Sequence, residues 1–177
     1  MRGVRVLGID PGSRVTGWGV IEARGQGCRH VASGTIALPA GSAAARFARL
    51  HAECLRLLAA WAPAAVVLER AFVARNVQSA FRIGEARGAV LAAVGTAGAP
   101  LHEYTPATVK LAAVGFGRAD KQAVGRGVAM RLGLARPLAA DASDALALAL
   151  CHLHQTPLAR GVALALAREA RPRRASS

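Results

Sequence analysis

Six side chains in this sequence have the chemistry needed for metal-assisted hydrolysis of a phosphate ester. They are four carboxylates and two amines: Asp10, Glu69, Asp141, Asp144, Lys110 and Lys121. Two carboxylates ~4 Å apart repel each other by roughly 4 kcal/mol at an effective dielectric of 20, so a cluster of four requires a compensating cation. Mg²⁺ suits this role because it prefers oxygen ligands and shares its coordination shell with phosphate oxygens.

The residues around Asp10 and Glu69 predict that each carboxylate ends a buried strand. The apolar run 4–9 leads into Asp10 and the turn 11–12, as is typical of a strand that enters a turn. The unbroken apolar run 64–68 ends at Glu69 and is typical of a strand buried on both faces. If short right-handed crossovers make these strands neighbours, both carboxylates lie at one edge of the sheet.

Asp141 and Asp144 belong to a predicted final helix over 139–154. Their spacing of three residues places them on one helix face. If this helix packs across the ends of the strands, all four carboxylates converge. Two Mg²⁺ ions ~4 Å apart can activate a water molecule on one side of a phosphodiester and stabilise the leaving oxygen on the other.

The remaining patterns predict an α/β layer fold. Three closely spaced strands are expected to form an antiparallel meander, and Gly34 is expected to form a bulge in the third. Further helices and strands then alternate, so we expect a five-stranded mixed sheet with helices on both faces. The predicted strands are 4–9, 15–22, 29–38, 64–68 and 100–104. The predicted helices are 42–61, 76–95, one that begins at 105, one from 120 to 132, and 139–154. The predicted N-caps of the first four helices are Ser42, Asn76, Thr105 and Asp120.

Composition restricts the class of protein and its partners. A chain of 177 residues, 53% of them hydrophobic, is one domain's worth of sequence and is not disordered. The formal net charge of +13 indicates a polyanionic partner, most often nucleic acid. There is no apolar run of ~18 residues and no signal-peptide pattern, so we expect no membrane partner. Three widely spaced cysteines favour a reducing cytoplasm, where the protein would associate with the nucleoid.

Each acidic residue also has an ordinary structural interpretation. Asp10 before Pro-Gly could be a turn residue, and Glu69 could pair with Arg70 on the surface. Asp141 could be favoured only by the helix dipole at the start of its helix. The predicted site therefore depends on the fold that brings these residues together.

Five sequence blocks resemble the RuvC family, the bacterial Holliday-junction resolvases. The blocks are LGIDPGSRVTG at 7–17, LERAFVARN at 68–76, GEARG at 84–88, YTPATVK at 104–110 and ADASDALA at 140–147. The resemblance covers roughly residues 4–156. It implies a ribonuclease H-like nuclease domain over 1–157, followed by a basic tail at 158–177 that is partly helical or disordered.

The resemblance also implies an activity. Family members are homodimers that nick two symmetry-related strands of a four-way DNA junction during homologous recombination and repair, and they work with a branch-migration motor complex. They use Mg²⁺ or Mn²⁺, which we expect here as two ions per active site. The catalytic acids of the family correspond to Asp10, Glu69, Asp141 and Asp144, and its active-site lysines correspond to Lys110 and Lys121, the only two lysines in the chain.

DNA contacts are expected around the loop that follows Glu69. By resemblance, Phe72 contacts junction bases, and a base stacked on an aromatic ring contributes roughly 1–3 kcal/mol. The sequence departs from the family at Arg75, where Lys is common, and at Ser143, where Ala is common. The helix after Asn76 is the predicted dimer contact. The arginines expected to contact DNA are Arg70, Arg75, Arg82, Arg87 and Arg126.

Three other functions remain possible at this stage. A nucleic-acid-binding protein without activity would explain the charge but not the four acids. An actin-like sugar or acetate kinase shares an Asp-x-Gly loop but needs two similar domains. A related ribonuclease H-like nuclease that processes ribosomal RNA is a closer rival. The segment 151–154, Cys-His-Leu-His, resembles a zinc motif, but alternate residues on a helix point apart and no second pair completes it.

Overall fold

A five-stranded mixed sheet forms the centre of the protein in the computed structural model, which describes residues 3–25, 27–70, 77–115, 117–136 and 138–156. The strands are β1 (Arg5–Asp10), β2 (Val15–Arg24), β3 (Gly27–Ala37), β4 (Ala65–Glu69) and β5 (Leu101–Tyr104), in the spatial order β3-β2-β1-β4-β5. The first three strands form the predicted antiparallel meander, while β4 pairs in parallel with both β1 and β5. The predicted mixed sheet is confirmed.

Five helices complete the described structure, and three of the predicted N-caps are present. The helices are α1 (Ala43–Trp61), α2 (Val77–Ala97), α3 (Pro106–Val114), α4 (Lys121–Arg131) and α5 (Ala140–Gln155). The side chains of Ser42, Thr105 and Asp120 each accept a hydrogen bond from a main-chain N–H three residues later. These bonds satisfy N–H groups that a helix leaves without partners in its first turn. Asn76 lies outside the described residues.

The helices cover both faces of the sheet, as predicted. On one face, α3, α4 and α5 form a core with apolar side chains that include Val6, Val67 and Leu146. On the other face, α1 and α2 form a second core with Leu7 and Leu50. Successive residues of a strand point to opposite faces, so β1 contributes alternately to the two cores.

Helix α5 lies directly on the main chain of β1 and β2. A Cβ atom added to Gly8 would be 1.9 Å from the carbonyl oxygen of Ala145, and one added to Gly17 would be 1.9 Å from the carbonyl oxygen of Asp141. Any other residue at these two positions would push the helix away. The two glycines therefore set the distance between the sheet and the helix that carries two of the predicted acids.

The predicted bulge at Gly34 is wrong. His30 and Ala32 pair with Ile21 and Val20, so Val31 is the extra residue in β3. Gly34 instead faces the indole of Trp18, where an added Cβ would be 3.0 Å from the ring. Gly34 therefore makes room for a side chain on the neighbouring strand, which the local sequence does not reveal.

Two further findings bear on the compositional predictions. Cys28, Cys54 and Cys151 are free thiols. Within the described ranges, none of the helices is long and apolar enough to cross a membrane. The predicted tail at 158–177 lies outside the described residues, and the domain boundary at 157 stays a prediction.

Candidate active site

A cavity of about 230 Å³ opens at the carboxyl ends of β1 and β4. Five of the six predicted chemical residues line it, and only Asp141 does not. Apolar residues from α3, α4 and α5 complete the wall. The lining residues are Asp10, Glu69, Lys110, Lys121 and Asp144, with Pro106, Val109, Val124, Ala147 and Leu148.

Strand pairing explains why Asp10 and Glu69 meet. They are the last residues of β1 and β4, and these strands pair in parallel with Ile9 opposite Leu68. Parallel neighbours in register end at the same edge of the sheet. Both carboxylates therefore reach the same cavity, as the sequence predicted.

Helix α5 brings the other two acids to this edge. Asp144 lies in its second turn and lines the cavity. The main chain of Asp141 packs against Gly17, which is the β2 partner of Asp10. Asp141 is near enough to raise the pKa of Asp10, although it lies outside the cavity lining.

The cavity holds more negative charge than its surroundings neutralise. The pKa of Asp10 is raised from 3.8 to about 6, first by burial and then by the negative charges of Asp144, Glu69 and Asp141, while Lys121 opposes the shift. The pKa of Glu69 is also raised, first by burial and then by Asp144, against the lowering effects of Lys121 and Lys110. Both shifts follow from placing like charges in a partly buried site.

The two lysines differ in how they are held. The Lys121 Nζ atom lies 3.4 Å from Asp144 Oδ2, but its side chain is 83% exposed. An exposed ion pair of this kind contributes about 1 kcal/mol or less, so Lys121 is free to leave it. Lys110 is partly buried in the cavity wall, where its charge lowers the pKa of Glu69.

The donor atoms around this cavity fit a hard divalent cation. They are carboxylate oxygens, which Mg²⁺ prefers. The raised pKa of Asp10 shows that its negative charge is disfavoured in this site, and a bound cation would stabilise that charge. Within the described parts of the chain, no three carboxylate, imidazole or thiol groups converge closely enough to form a finished metal site.

A second, basic cavity of about 510 Å³ lies beside the loop that follows Asp10. Arg82, a predicted DNA contact, lines it together with Arg14 and Arg46. Sequence reasoning missed Arg14 and Arg46. The position of Arg14, four residues after Asp10, could have indicated it, whereas Arg46 looked like any residue on the polar side of α1.

The other predicted DNA contacts differ in where they lie. Phe72 and Arg75 lie outside the described residues, while Arg70 is exposed at the end of β4. Arg126 lines a groove of about 310 Å³ between α4 and the start of α5, next to Lys121. Arg87 instead donates hydrogen bonds within the protein, to the Glu69 carbonyl oxygen and to a carboxylate of β5.

The segment 151–154 has a structural role in α5. Cys151 and His152 are buried, whereas His154 is exposed, so the three side chains do not share one ligand position. The Nδ1 atom of His152 lies 3.0 Å from the hydroxyl oxygen of Tyr104, and burial lowers the pKa of this histidine to about 4.

Comparisons with known sequences identify the family. The family model described as crossover junction endodeoxyribonuclease RuvC matches residues 6–152. A relative of that name from Alkalilimnicola ehrlichii is 52% identical over 154 residues, which cover 87% of this chain and 93% of the relative. One from Rhodospirillum rubrum is 46% identical over 165 residues, covering 93% and 98% of the two chains.

Solved structures agree with the sequence comparisons. The Thermus thermophilus RuvC structure is 35% identical with a TM-score of 0.80, covering 90% of this chain and 98% of its own. T. thermophilus RuvC in complex with Holliday junction substrate is 34% identical with a TM-score of 0.77, covering 90% and 97%. These matches confirm the predicted ribonuclease H-like fold, and this chain belongs to the RuvC family of crossover junction endodeoxyribonucleases.

Proposed function

We propose that this protein resolves four-way DNA junctions by metal-dependent hydrolysis at the cavity that Asp10, Glu69 and Asp144 line, with Asp141 beside it. One observation carries the proposal: acids from two adjacent strands and one helix surround a single cavity in a chain of net charge +13. A protein that only binds DNA gains nothing from such a cluster, because carboxylates repel phosphates. The paired symmetric nicks of recombination and repair are part of the same proposal.

The four acids would hold Mg²⁺, or Mn²⁺ in its place, as two ions per active site. When bound, such ions lower the pKa of a water molecule and stabilise the leaving oxygen of the phosphodiester. Asp10 and Glu69 would contribute ligands from the rigid edge of the sheet. Asp144 and Asp141 would contribute theirs from α5, whose distance from the sheet is set by Gly8 and Gly17.

The two lysines would bind the scissile phosphate. Lys121 is exposed and held only by a weak pair with Asp144, so a phosphate oxygen can replace that carboxylate. Lys110, which also lines the cavity, would stabilise the charge that develops on the phosphate oxygens.

The DNA backbone would cross the edge of the sheet between the two cavities. The basic cavity of Arg14, Arg46 and Arg82 lies on the side of α1 and α2, while the acidic cavity lies on the side of α5. A strand that spans both would bring one phosphate to the acids and another to the arginines. Arg70 would contact the junction at the end of β4, and Arg126 would contact the strand beside Lys121. Phe72 and Arg75 are proposed as further junction contacts from the family resemblance alone.

Two nicks on symmetry-related strands require two active sites, which a homodimer would supply. Helix α2 is the proposed contact, because Phe81 is 70% exposed and Ile83 is 44% exposed near its start. A dimer contact at the start of α2 would cover these exposed apolar groups. A branch-migration motor complex in the cytoplasm, at the nucleoid, would be a further partner.

The direct test is cleavage of a mobile four-way junction with and without Mg²⁺, with products mapped on all strands. We expect Mg²⁺-dependent nicks at symmetric positions on two strands. Nicking that does not depend on Mg²⁺, or no nicking at all, would favour a binding protein. Equal cleavage of linear duplex DNA or of RNA would favour the related nuclease that processes ribosomal RNA.

Salt dependence tests the proposed DNA path. With 6–10 phosphate contacts, junction affinity falls roughly 10³–10⁵-fold between 50 and 200 mM salt. Arg14→Gln and Arg82→Gln should each reduce the slope of log affinity against log salt by about 1. The matched control is Arg24→Gln, at the exposed opposite end of β2, which should leave the slope unchanged. Equal slopes for all three variants would contradict the path.

A further inference from the structure

Arg87 joins α2 to the ends of two strands at the active site. Its Nη1 atom donates a hydrogen bond to the main-chain carbonyl oxygen of Glu69, with 2.7 Å between the two atoms. Its Nη2 atom donates to Oε1 of Glu103 on β5. The Arg87 side chain is only 14% exposed. The guanidinium is thus committed to partners within the protein, although its position in the sequence favoured a phosphate contact.

Both ends of this connection are anchored. On α2, Ala86 and Val90 flank Arg87 and are completely buried in the core that α1 and α2 share. At the sheet, Glu103 lies opposite Leu68 in the parallel pairing of β4 and β5. Arg87 therefore connects a packed helix to the last residue of β4 and the penultimate residue of β5.

The hydrogen bond from Arg87 holds the main chain at the residue where β4 ends. Glu69 is the last residue of that strand, and the next main-chain N–H, that of Arg70, donates to the carbonyl oxygen of Tyr104 at 2.8 Å. Arg87 holds the carbonyl oxygen of the same peptide group. Fixing both sides of this peptide fixes the direction in which the Glu69 side chain leaves the sheet.

Arginine is the residue type suited to this connection. Its planar guanidinium can donate to a carbonyl oxygen and a carboxylate at the same time, in fixed directions, whereas the ammonium of lysine is a single point charge. Hydrogen bonds from a charged donor are also about twice as strong as those between neutral groups.

We propose that Arg87 is a positioning residue for the active site. It holds the Glu69 main chain so that the carboxylate faces the cavity, and Glu103 holds the guanidinium in place for that contact. The inference rests on the proposed function, because it assigns Glu69 to the metal-dependent reaction. It differs from a phosphate contact, since Arg87 acts through Glu69 and does not touch DNA.

Arg87→Gln distinguishes a positioning role for Arg87 from a direct contact with a DNA phosphate. A misplacement of ~1 Å in an active site costs about 10²-fold in rate. We expect the single-turnover rate at saturating protein and Mg²⁺ to fall about 10²-fold, with the junction Kd in EDTA and its salt slope unchanged. Without DNA, Mg²⁺ should raise the Tm of the variant less than that of the wild type, because a displaced Glu69 binds the ion more weakly. A phosphate contact predicts the reverse: a weaker Kd, a salt slope smaller by about 1 and a normal rate at saturation.

Arg24→Gln is the matched control, because Arg24 is an exposed arginine at the end of β2 and has no role in the proposed site. It should leave the rate, the junction Kd and the salt slope unchanged. Glu103→Gln provides a second variant if Arg87→Gln does not fold. It should lower the rate in the same direction by a smaller factor, with no further loss when combined with Arg87→Gln. A wild-type rate for both Arg87→Gln and Glu103→Gln, or for the one that folds, would overturn the proposal.

The outcome for the wild type separates this inference from the proposed function. If the wild type nicks the junction with Mg²⁺ and the Arg87 and Glu103 variants do so equally well, only the positioning role fails. If the wild type does not nick, the proposed function fails. In that case Arg87 has no reaction to support, and the inference fails with it.

Discussion

The two faces of the sheet are packed in different ways. On the α5 face, main chain meets main chain, because Gly8 and Gly17 leave no side chain between the sheet and Ala145 or Asp141. On the opposite face, large side chains such as Leu7 of β1 and Leu50 of α1 fill the space between the sheet and the helices α1 and α2. The face that carries the acids therefore includes close backbone contacts beside its apolar core, whereas the other face is packed mainly through side chains.

This difference indicates which face of the sheet tolerates substitutions and which does not. A contact between main-chain atoms cannot adjust by changing a side-chain rotamer. A substitution that does not fit there therefore moves the whole of α5 and the two acids on it. Large side chains can shift and refill space, and volume-conserving exchanges in a core usually cost less than about 1.5 kcal/mol. We expect the α5 face to tolerate fewer substitutions than the face covered by α1 and α2.

Gly8→Ala should have the largest effect. The new methyl group would overlap the main chain of Ala145, so α5 must move. Overpacking typically costs about 1–3 kcal/mol and more where backbone is displaced, and we expect a loss above about 3 kcal/mol in denaturant unfolding. Below the Tm, the cleavage rate should also fall by at least about 10²-fold.

Gly95→Ala is the control for this substitution. Gly95 lies in α2 with nothing within 4 Å of an added Cβ, so alanine there should stabilise the helix by up to about 1 kcal/mol. A similar small effect at both glycines would show that the distance between α5 and the sheet is adjustable.

Asp10→Asn should stabilise the metal-free protein. The pKa of Asp10 is raised from 3.8 to about 6, so between these pH values the folded state keeps a proton that the unfolded state has lost. The free energy of unfolding therefore falls as the pH rises through this window. The variant lacks this loss, and its advantage in EDTA should grow from near zero at pH 4 to about 3 kcal/mol above pH 7.

Asp120→Asn is the matched control, because Asp120 is an exposed N-cap and asparagine caps helices equally well. It should change stability little at any pH. If Asp10→Asn followed the same flat profile, neither burial nor the neighbouring acids would be disfavouring the charged form of Asp10 in the folded protein.

Leu50→Met tests whether the face covered by α1 and α2 tolerates substitution. Leu50 is completely buried against the sheet, and methionine has a similar volume with more flexibility. We expect a loss of stability below about 1.5 kcal/mol and an unchanged cleavage rate. A loss of rate as large as that of Gly8→Ala would remove the distinction between the two faces.

Lys121→Gln should have the smallest effect on stability. Its pair with Asp144 is exposed, so its removal should cost less than about 1 kcal/mol in unfolding measurements. The cleavage rate should still fall about 10²–10³-fold, as it does when one donor that stabilises developing charge is removed. A normal rate would assign Lys121 to the solvated surface.

The sequence predicts the features that depend on local pattern. Buried strands that end at Asp10 and Glu69, and helix caps at Ser42, Thr105 and Asp120, follow from neighbouring residues alone. The position of the β3 bulge depends on the pairing of two strands, and Gly34 was a wrong choice because it accommodates Trp18 on the neighbouring strand.

Features that depend on packing between distant segments could not be predicted. Gly8 and Gly17 looked like ordinary strand glycines, because nothing local shows that α5 lies on them. Arg87 looked like a phosphate contact, since its two partners, Glu69 and Glu103, belong to strands 18 and 16 residues away in the chain.

The most direct test of the account measures junction binding and single-turnover cleavage for the four conservative variants Asp10→Asn, Glu69→Gln, Asp141→Asn and Asp144→Asn, purified free of wild-type protein. Removing a negative charge should leave junction binding in EDTA intact or stronger. The account predicts that each variant binds the four-way junction but gives no detectable Mg²⁺-dependent nicking. Wild-type nicking by any one of them would contradict the role of that residue, and wild-type nicking by all four would contradict the active site itself.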